Sequence, residues 1–224
     1  MSFAKQSNGR TAALFFIILL LSGCTGGCSN TYYSAMEKVG IHKRDILVDR
    51  VEGARDAQTE AQEQFKSALE QFASVVELKE TDLKKAYDKL NDEYLDCEKA
   101  SEAVSDRIDK VDKVAEDLFE EWQEELDQYE NKTLQANSRQ QLRETKSRYR
   151  DMLASMRTAE KSMAPVLRIF HDNVLFLKHN LNAQAIGSLR TEFAGLKENI
   201  QTLISRMNAS IAESNAFIAQ MEKK

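Results

Sequence analysis

Residues 83–122 read LKKAYDKLNDEYLDCEKASEAVSDRIDKVDKVAEDLFEEW and carry an apolar or small residue at almost every seventh position. One register comprises Leu83, Leu90, Cys97, Val104, Val111 and Leu118. Its companion comprises Tyr87, Tyr94, Ser101, Ile108, Ala115, Trp122 and Tyr129. Such a sustained repeat is typical of a long helix that packs along one stripe against other helices. We therefore predict a helix from about residue 82 to 131.

The same spacing predicts three further helices, over 44–78, 138–181 and 183–222. The first carries Leu47, Ala54, Ala61, Ala68 and Val75 in one register, and Val51, Gln58, Phe65 and Phe72 in the other. The third keeps its stripe on both sides of Pro165. One register comprises Leu142, Tyr149, Met156, Met163, Phe170 and Leu177, and its companion comprises Leu153, Leu167, Val174 and Leu181. Thr81 or Asp82, Ser138 and Asn182 are the predicted N-terminal caps, since short polar side chains suit that position.

Short connections between long helices favour antiparallel neighbours. The predicted fold class is therefore all-α, an elongated antiparallel bundle of about four long helices with coiled-coil-like packing. The wide stripe of the last helix favours packing within one chain. The strict heptads of the second helix also suit a homo-oligomer, so both arrangements stay open.

The amino end has the features of an export signal. Lys5 and Arg10 precede an apolar run of about 11 residues, shorter than the roughly 20 that a transmembrane helix needs. The tetrad Leu21-Ser22-Gly23-Cys24 resembles the lipobox of bacterial lipoproteins. We predict a signal peptide over 1–23, cleavage between Gly23 and Cys24, a lipid on Cys24, and a tether with a membrane-proximal segment over 24–43, before the 44–222 bundle.

The predicted location is a membrane, reached through the lipid on Cys24. Stable anchoring needs more than one acyl chain, and bacterial lipoproteins typically carry three. Thr25 follows the cysteine, where Asp retains many such proteins at the inner membrane. The expected location is therefore the outer membrane, on the side that faces the periplasm.

The charge balance argues against nucleic acid as a partner. The chain has a net charge of −5, and removal of residues 1–23 leaves 29 basic against 36 acidic residues, a net charge of −7. An acidic protein repels phosphate backbones.

No catalytic or metal-binding arrangement is predicted. The histidines are His42, His171 and His179, and none forms an i, i+4 ligand pair. The sequence has no phosphate-binding glycine loop and no nucleophile elbow. We expect no enzyme activity, no catalytic residue, no metal and no cofactor.

The strongest concentration of charge is acidic and lies at 116–130. Five of its glutamates form a candidate interaction patch: Glu116, Glu120, Glu121, Glu124 and Glu125. The competing interpretation is an internal charge zipper with the basic residues that open the next helix, namely Arg139, Arg143, Lys146, Arg148 and Arg150. Exposed pairs of this kind contribute about 0.2 to 1 kcal/mol each.

Two stretches carry a resemblance to a known family, residues 165–186 (PVLRIFHDNVLFLKHNLNAQAI) and 104–122 (VSDRIDKVDKVAEDLFEEW). They resemble an uncharacterised family of proteobacterial lipoproteins, over nearly all of the chain from Tyr32 to Met221. The resemblance implies a domain of unknown function and no site residues. Some relatives are loosely labelled DNA repair ATPases, a label that the missing nucleotide-binding loop does not support here.

These observations favour a non-catalytic periplasmic lipoprotein that acts as a structural or protein-interaction module of the cell envelope, with envelope proteins as its partners. The first alternative is a lipid-binding or membrane-remodelling helical protein, which requires a basic exposed face. The weaker alternative is a cell-wall-associated regulator.

Overall fold

The computed structural model of the chain describes residues 33, 36, 40, 42–77 and 83–223. Four α-helices follow one another along the chain: α1 (Lys43–Val76), α2 (Leu83–Glu125), α3 (Lys132–His179) and α4 (Ala183–Glu222), with a short 3-10 helix (Leu126–Gln128) after α2. The all-α prediction is confirmed. The predicted signal peptide, Cys24 and most of the predicted tether lie outside the described residues.

The chain divides into two units, residues 1–43 and 44–224. In the first unit, Gly40 lies in a turn with a φ of 83°, a conformation that suits glycine. Tyr33 is buried, and the Lys43 ammonium lies 5.0 Å from its ring centroid.

Within the second unit, hydrogen bonds between helices show that sequential helices run antiparallel. Between α1 and α2, Ser67 donates to Glu93 and the Cys97 thiol donates to the Gln64 carbonyl. Between α2 and α3, Trp122 donates to Ser138 and Tyr149 donates to Asp112. In each pair of helices, the later residue of one contacts the earlier residue of the other. The Tyr149 ring also contacts the Phe217 ring, which pairs α3 with α4 in the same antiparallel way. The first and last helices are also neighbours, since Gln62 of α1 donates to Asn208 of α4 at 2.8 Å. The helices therefore form an up-down-up-down bundle, and α3, with 48 residues, extends about 72 Å at ~1.5 Å per residue.

The two ends of this bundle differ in their connections. We call the end that holds the start of α1, the α2–α3 connection and the end of α4 the proximal end. The opposite end, with the α3–α4 connection at 180–182, is the distal end. The proximal end is thus the one nearest in sequence to the predicted lipid attachment site.

The core is built from the predicted stripes. All six residues of the first α2 register are at most 9% exposed, and Cys97, Val104 and Val111 are fully buried. Near the distal end, Phe72 lies against Phe170 and Phe193, with ring centroids 6.1 and 5.8 Å away, and Tyr94 meets Phe170 edge-on. All four helices contribute to this aromatic cluster, so the stripes are satisfied within one chain.

The α2–α3 connection differs from its prediction. Helix α2 ends at Glu125 and its 3-10 extension at Gln128, not at 131, and α3 begins at Lys132, not at 138. The reason is Asn131, whose side chain accepts hydrogen bonds from the backbone N–H groups of Thr133 and Leu134 and so caps α3. Ser138, the predicted cap, lies inside the helix.

The other helix ends are closer to the predictions. Helix α1 ends at Val76 rather than 78, and the predicted caps Thr81 and Asp82 lie outside the described residues. Pro165 lies inside α3, as predicted, and Asn182 caps α4 by accepting from the Ala185 N–H at 3.0 Å, also as predicted.

The end of α3 requires a correction. The helix ends at His179 rather than at 181. The backbone N–H of Asn180 donates to the Leu177 carbonyl at 3.2 Å, which closes the last turn. Leu181 therefore leaves the apolar stripe and is 45% exposed in the connection to α4.

Cys97 provides a test of the bundle core. Its thiol is fully buried and lies 3.7 Å from the Gln64 carbonyl, and burial, followed by the nearby Glu93 carboxylate, raises its pKa to about 12. Since the thiolate is the reactive form, we expect alkylation at pH 8 to leave Cys97 unmodified in the native protein and to modify it in urea. Peptide mass mapping distinguishes this residue from Cys24 and Cys28. Native labelling of Cys97 would contradict the packing of α1 against α2.

Candidate interaction surface

The proximal end of the α2–α3 hairpin is held by hydrogen bonds between its two helices. The Trp122 indole N–H donates to the Ser138 hydroxyl at 2.8 Å, and the Gln135 side chain donates to the Leu126 carbonyl at 2.7 Å. Leu126 is fully buried beneath this connection. The hairpin therefore presents the last turns of α2 on a fixed scaffold.

The acidic face consists of Glu116, Glu120 and Glu124, which follow one another at four-residue spacing and therefore lie on one side of α2. All three are exposed, as is Glu125. Among the described residues, none of these four glutamates forms an ion pair within 4.0 Å. Asp117, in contrast, accepts from Lys113 at 3.0 Å. Four of the five glutamates of the predicted patch are thus exposed and form no ion pair with a described residue. The pKa of Lys113 is raised first by its hydrogen bond to Asp117, but Lys113 also lies near enough to Glu116 and Glu120 for their charges to raise that pKa.

The predicted charge zipper does not form at this surface. In the described part of the chain, Arg139 and Arg143 make no ion pair, and Arg148 lies 3.9 Å from Glu144 of its own helix. The Lys146 ammonium lies 5.6 Å from the Phe119 ring centroid. The physical reason is orientation, because Arg139 and Arg143 are exposed on α3 and face solvent rather than α2.

The ion pairs that do join α2 to α3 centre on Arg157. Its guanidinium lies 2.6 Å from Asp109 and 3.8 Å from Asp112, and 3.1 Å from Glu160 of its own helix. The Tyr149 hydroxyl donates to Asp112, and burial, then this hydrogen bond, raises the pKa of Tyr149 far above its ordinary value. Sequence analysis missed this cluster because Arg157 lies beyond the basic run and Tyr149 was assigned only to a core stripe.

A cleft of about 360 Å³ lies beside the acidic face at the proximal end. Its lining comprises Arg44, Leu118, Glu121, Trp122, Glu125, Gln141, Thr145 and Met221. Two predicted patch residues, Glu121 and Glu125, thus border a partly apolar depression next to an indole ring. The lining therefore combines apolar surface and the indole ring with two carboxylates and the guanidinium of Arg44.

The histidines are not assembled into a site. The His171 Nδ1 lies 3.6 Å from Asp172 Oδ1, but both side chains are at least half exposed, and the nearest ring to His171 is that of Tyr94 at 5.3 Å. No group of three or more metal-ligating side chains occurs among the described residues. In the same part of the chain, no helix has the length and apolar character required to cross a membrane.

Comparisons with known proteins give one match. No curated protein and no solved structure is significantly similar to the chain. A match to the family described as "Protein of unknown function (DUF2959)" covers residues 32–221 and so includes all four helices of the bundle. The chain belongs to this DUF2959 family.

Proposed function

We propose that the protein is a non-catalytic lipoprotein of the bacterial cell envelope, anchored through Cys24, whose helical bundle binds a basic segment of another envelope protein. The anchor is supported by the basic start, the short apolar run and the Leu21–Cys24 tetrad. The outer membrane, facing the periplasm, is the proposed location because Thr25 follows the cysteine.

The observation that supports the binding role is the exposed acidic face of α2, whose glutamates form no ion pair within 4.0 Å with a described residue. Carboxylates that are exposed, rigidly spaced and without ion pairs attract a basic partner at long range and fix its register on contact. The adjacent cleft adds apolar surface and the Trp122 indole, and aromatic residues are enriched among the side chains that dominate binding energy. The partner that fits is a protein segment with several lysines or arginines.

Site-specific crosslinking in the living cell tests this proposal. A photoreactive amino acid at position 120, on the acidic face, is expected to capture a discrete protein species. The matched control is position 198, an exposed glutamate on α4. Replacement of Glu116, Glu121 and Glu124 by lysine should reduce capture from position 120 by about tenfold or more, because charge reversal turns attraction into repulsion.

Two outcomes would contradict separate parts of the proposal. Equal capture from positions 120 and 198, or capture that survives the charge reversal, would remove the binding role of the acidic face. A Cys24→Ala variant that is still cleaved and still carries labelled fatty acid would remove the anchor at Cys24.

A further inference from the structure

The distal end of the bundle exposes a compact apolar surface. Six large apolar side chains are exposed in the described part of the chain, and three of them, Leu175, Phe176 and Leu181, lie within seven residues of one another. They are 45%, 40% and 45% exposed, in the last turns of α3 and in its connection to α4. We call this set the apolar tip.

Leu175 and Phe176 are exposed because they lie on the side of α3 away from its buried stripe, and Leu181 is exposed because α3 ends two residues before that stripe does. The backbone N–H of Asn180 donates to the Leu177 carbonyl and ends the helix. Leu181 therefore lies in the connection, outside the core. A shallow groove of about 340 Å³ extends from Phe176 between α3 and α4 along Ile169 and Leu189, and its lining also includes the polar residues Asp172, Asn173, Ser188 and Glu192. Clustered exposure of this kind marks an interaction site more often than scattered single side chains do.

The chain segment that carries the apolar tip has a net positive charge, whereas the protein as a whole is acidic. From Lys161 to Arg190 the chain carries four basic residues and one acid, Asp172, whereas the whole chain has a net charge of −5. Arg168 and Lys178 are exposed and form no ion pair with any described residue. Arg190 donates to the Val76 carbonyl, and Glu192, just beyond the segment, borders the groove.

We propose that the apolar tip docks on the surface of an anionic lipid bilayer. A few leucine and phenylalanine side chains at the narrow end of a rigid rod insert at the level of the head groups, while flanking cations contact the lipid phosphates. The acidic face at the proximal end lies far from this contact, since α3 alone spans about 72 Å. The inference goes beyond the proposed function and does not depend on the lipid at Cys24.

A vesicle-tethering assay with the full mature chain tests the inference. A C-terminal histidine tag attaches the protein to donor vesicles that contain a nickel-chelating lipid. Because α4 ends at the proximal end, the tag presents the apolar tip outward, whether or not Cys24 is lipidated. Protein that stays on the donors after an imidazole wash reports the lipid anchor separately.

Acceptor vesicles that contain phosphatidylglycerol should be tethered, and acceptors of pure phosphatidylcholine should be tethered about tenfold less. Replacement of Leu175, Phe176 and Leu181 by serine should reduce tethering by about tenfold or more. The control is Leu134→Ser, an equally exposed leucine near the start of the same helix. For charge, Arg168→Glu with Lys178→Glu should abolish the lipid preference, whereas Arg139→Glu with Arg143→Glu should not.

Three results would overturn the inference. The first is equal tethering of both acceptors, and the second is wild-type tethering by the triple serine variant. The third is tethering only of acceptors that carry envelope proteins, which would assign the apolar tip to a protein partner. None of these results bears on the acidic face, so the two proposals fail independently.

Discussion

Replacement of Phe170 by alanine is expected to lower the free energy of unfolding by about 3–5 kcal/mol, the loss typical of a fully buried large aromatic side chain. Phe170 is 0% exposed, and its ring lies 6.1 Å from the centroids of both Phe72 and Tyr94. The substitution thus leaves a cavity bordered by α1 and α2, within the aromatic cluster that all four helices share. Urea denaturation followed by circular dichroism measures the change.

Phe176 provides the matched control for this prediction. It has the same side chain on the same helix, six positions further on, but is 40% exposed at the apolar tip. Phe176→Ala should therefore change the free energy of unfolding by about 0.5 kcal/mol or less. Similar losses for the two variants would contradict the placement of Phe170 in the shared core and of Phe176 on the surface.

The contrast between these two residues shows what the heptad pattern can predict. A repeat of seven reports which side of a helix is buried, and it correctly assigned Phe72, Cys97 and Phe170 to the core. It does not report where the helix ends. Leu181 keeps step with the stripe in sequence, but the hydrogen bond from Asn180 to Leu177 ends the helix first. Periodicity therefore leaves Leu175 and Phe176 off the buried stripe, but it could not predict the exposure of Leu181.

Charge was harder to predict than burial. The acidic run at 116–130 was evident in the sequence, but whether the arginines of α3 neutralise it depends on their orientation around that helix. Arg139 and Arg143 are exposed on either side of the buried Leu142 in α3, and neither makes an ion pair with a described residue. The net charge of −5 also sums over the whole chain. It therefore does not reveal that the segment from Lys161 to Arg190 is basic.

A second replacement is expected to stabilise the protein. Gln58 occupies a core position of α1 and is 0% exposed, and neither its amide nitrogen nor its amide oxygen has a hydrogen-bond partner among the described residues. Each buried polar atom without a partner costs about 1–3 kcal/mol. Leucine has a similar volume and no polar atom, so Gln58→Leu should raise the free energy of unfolding by about 1–3 kcal/mol.

Gln62, one turn further along α1, is the matched control. It is also buried, at 7% exposure, but its amide donates to Asn208 at 2.8 Å and to the Ile204 carbonyl at 3.3 Å. Gln62→Leu removes these bonds and leaves Asn208 without its partner, so a loss of about 1 kcal/mol is expected. The same substitution should thus raise the free energy of unfolding at Gln58 and lower it at Gln62, as measured by urea denaturation. A loss at both positions would show that Gln58 is hydrogen-bonded in solution.

The cost of Gln58 also suggests why a polar residue occupies this core position. Ser210 is likewise fully buried, and its hydroxyl has no hydrogen-bond partner in the described part of the chain. Ser162 and Ser214 are also buried, and their hydroxyls donate within their own helices. Polar residues at core positions of coiled coils set the register at the expense of stability. Gln58→Leu should therefore broaden or duplicate amide resonances of α1 and α4 while raising stability. If the spectrum instead stays single and sharp, the apolar stripes alone set the register, and Gln58 only weakens the bundle.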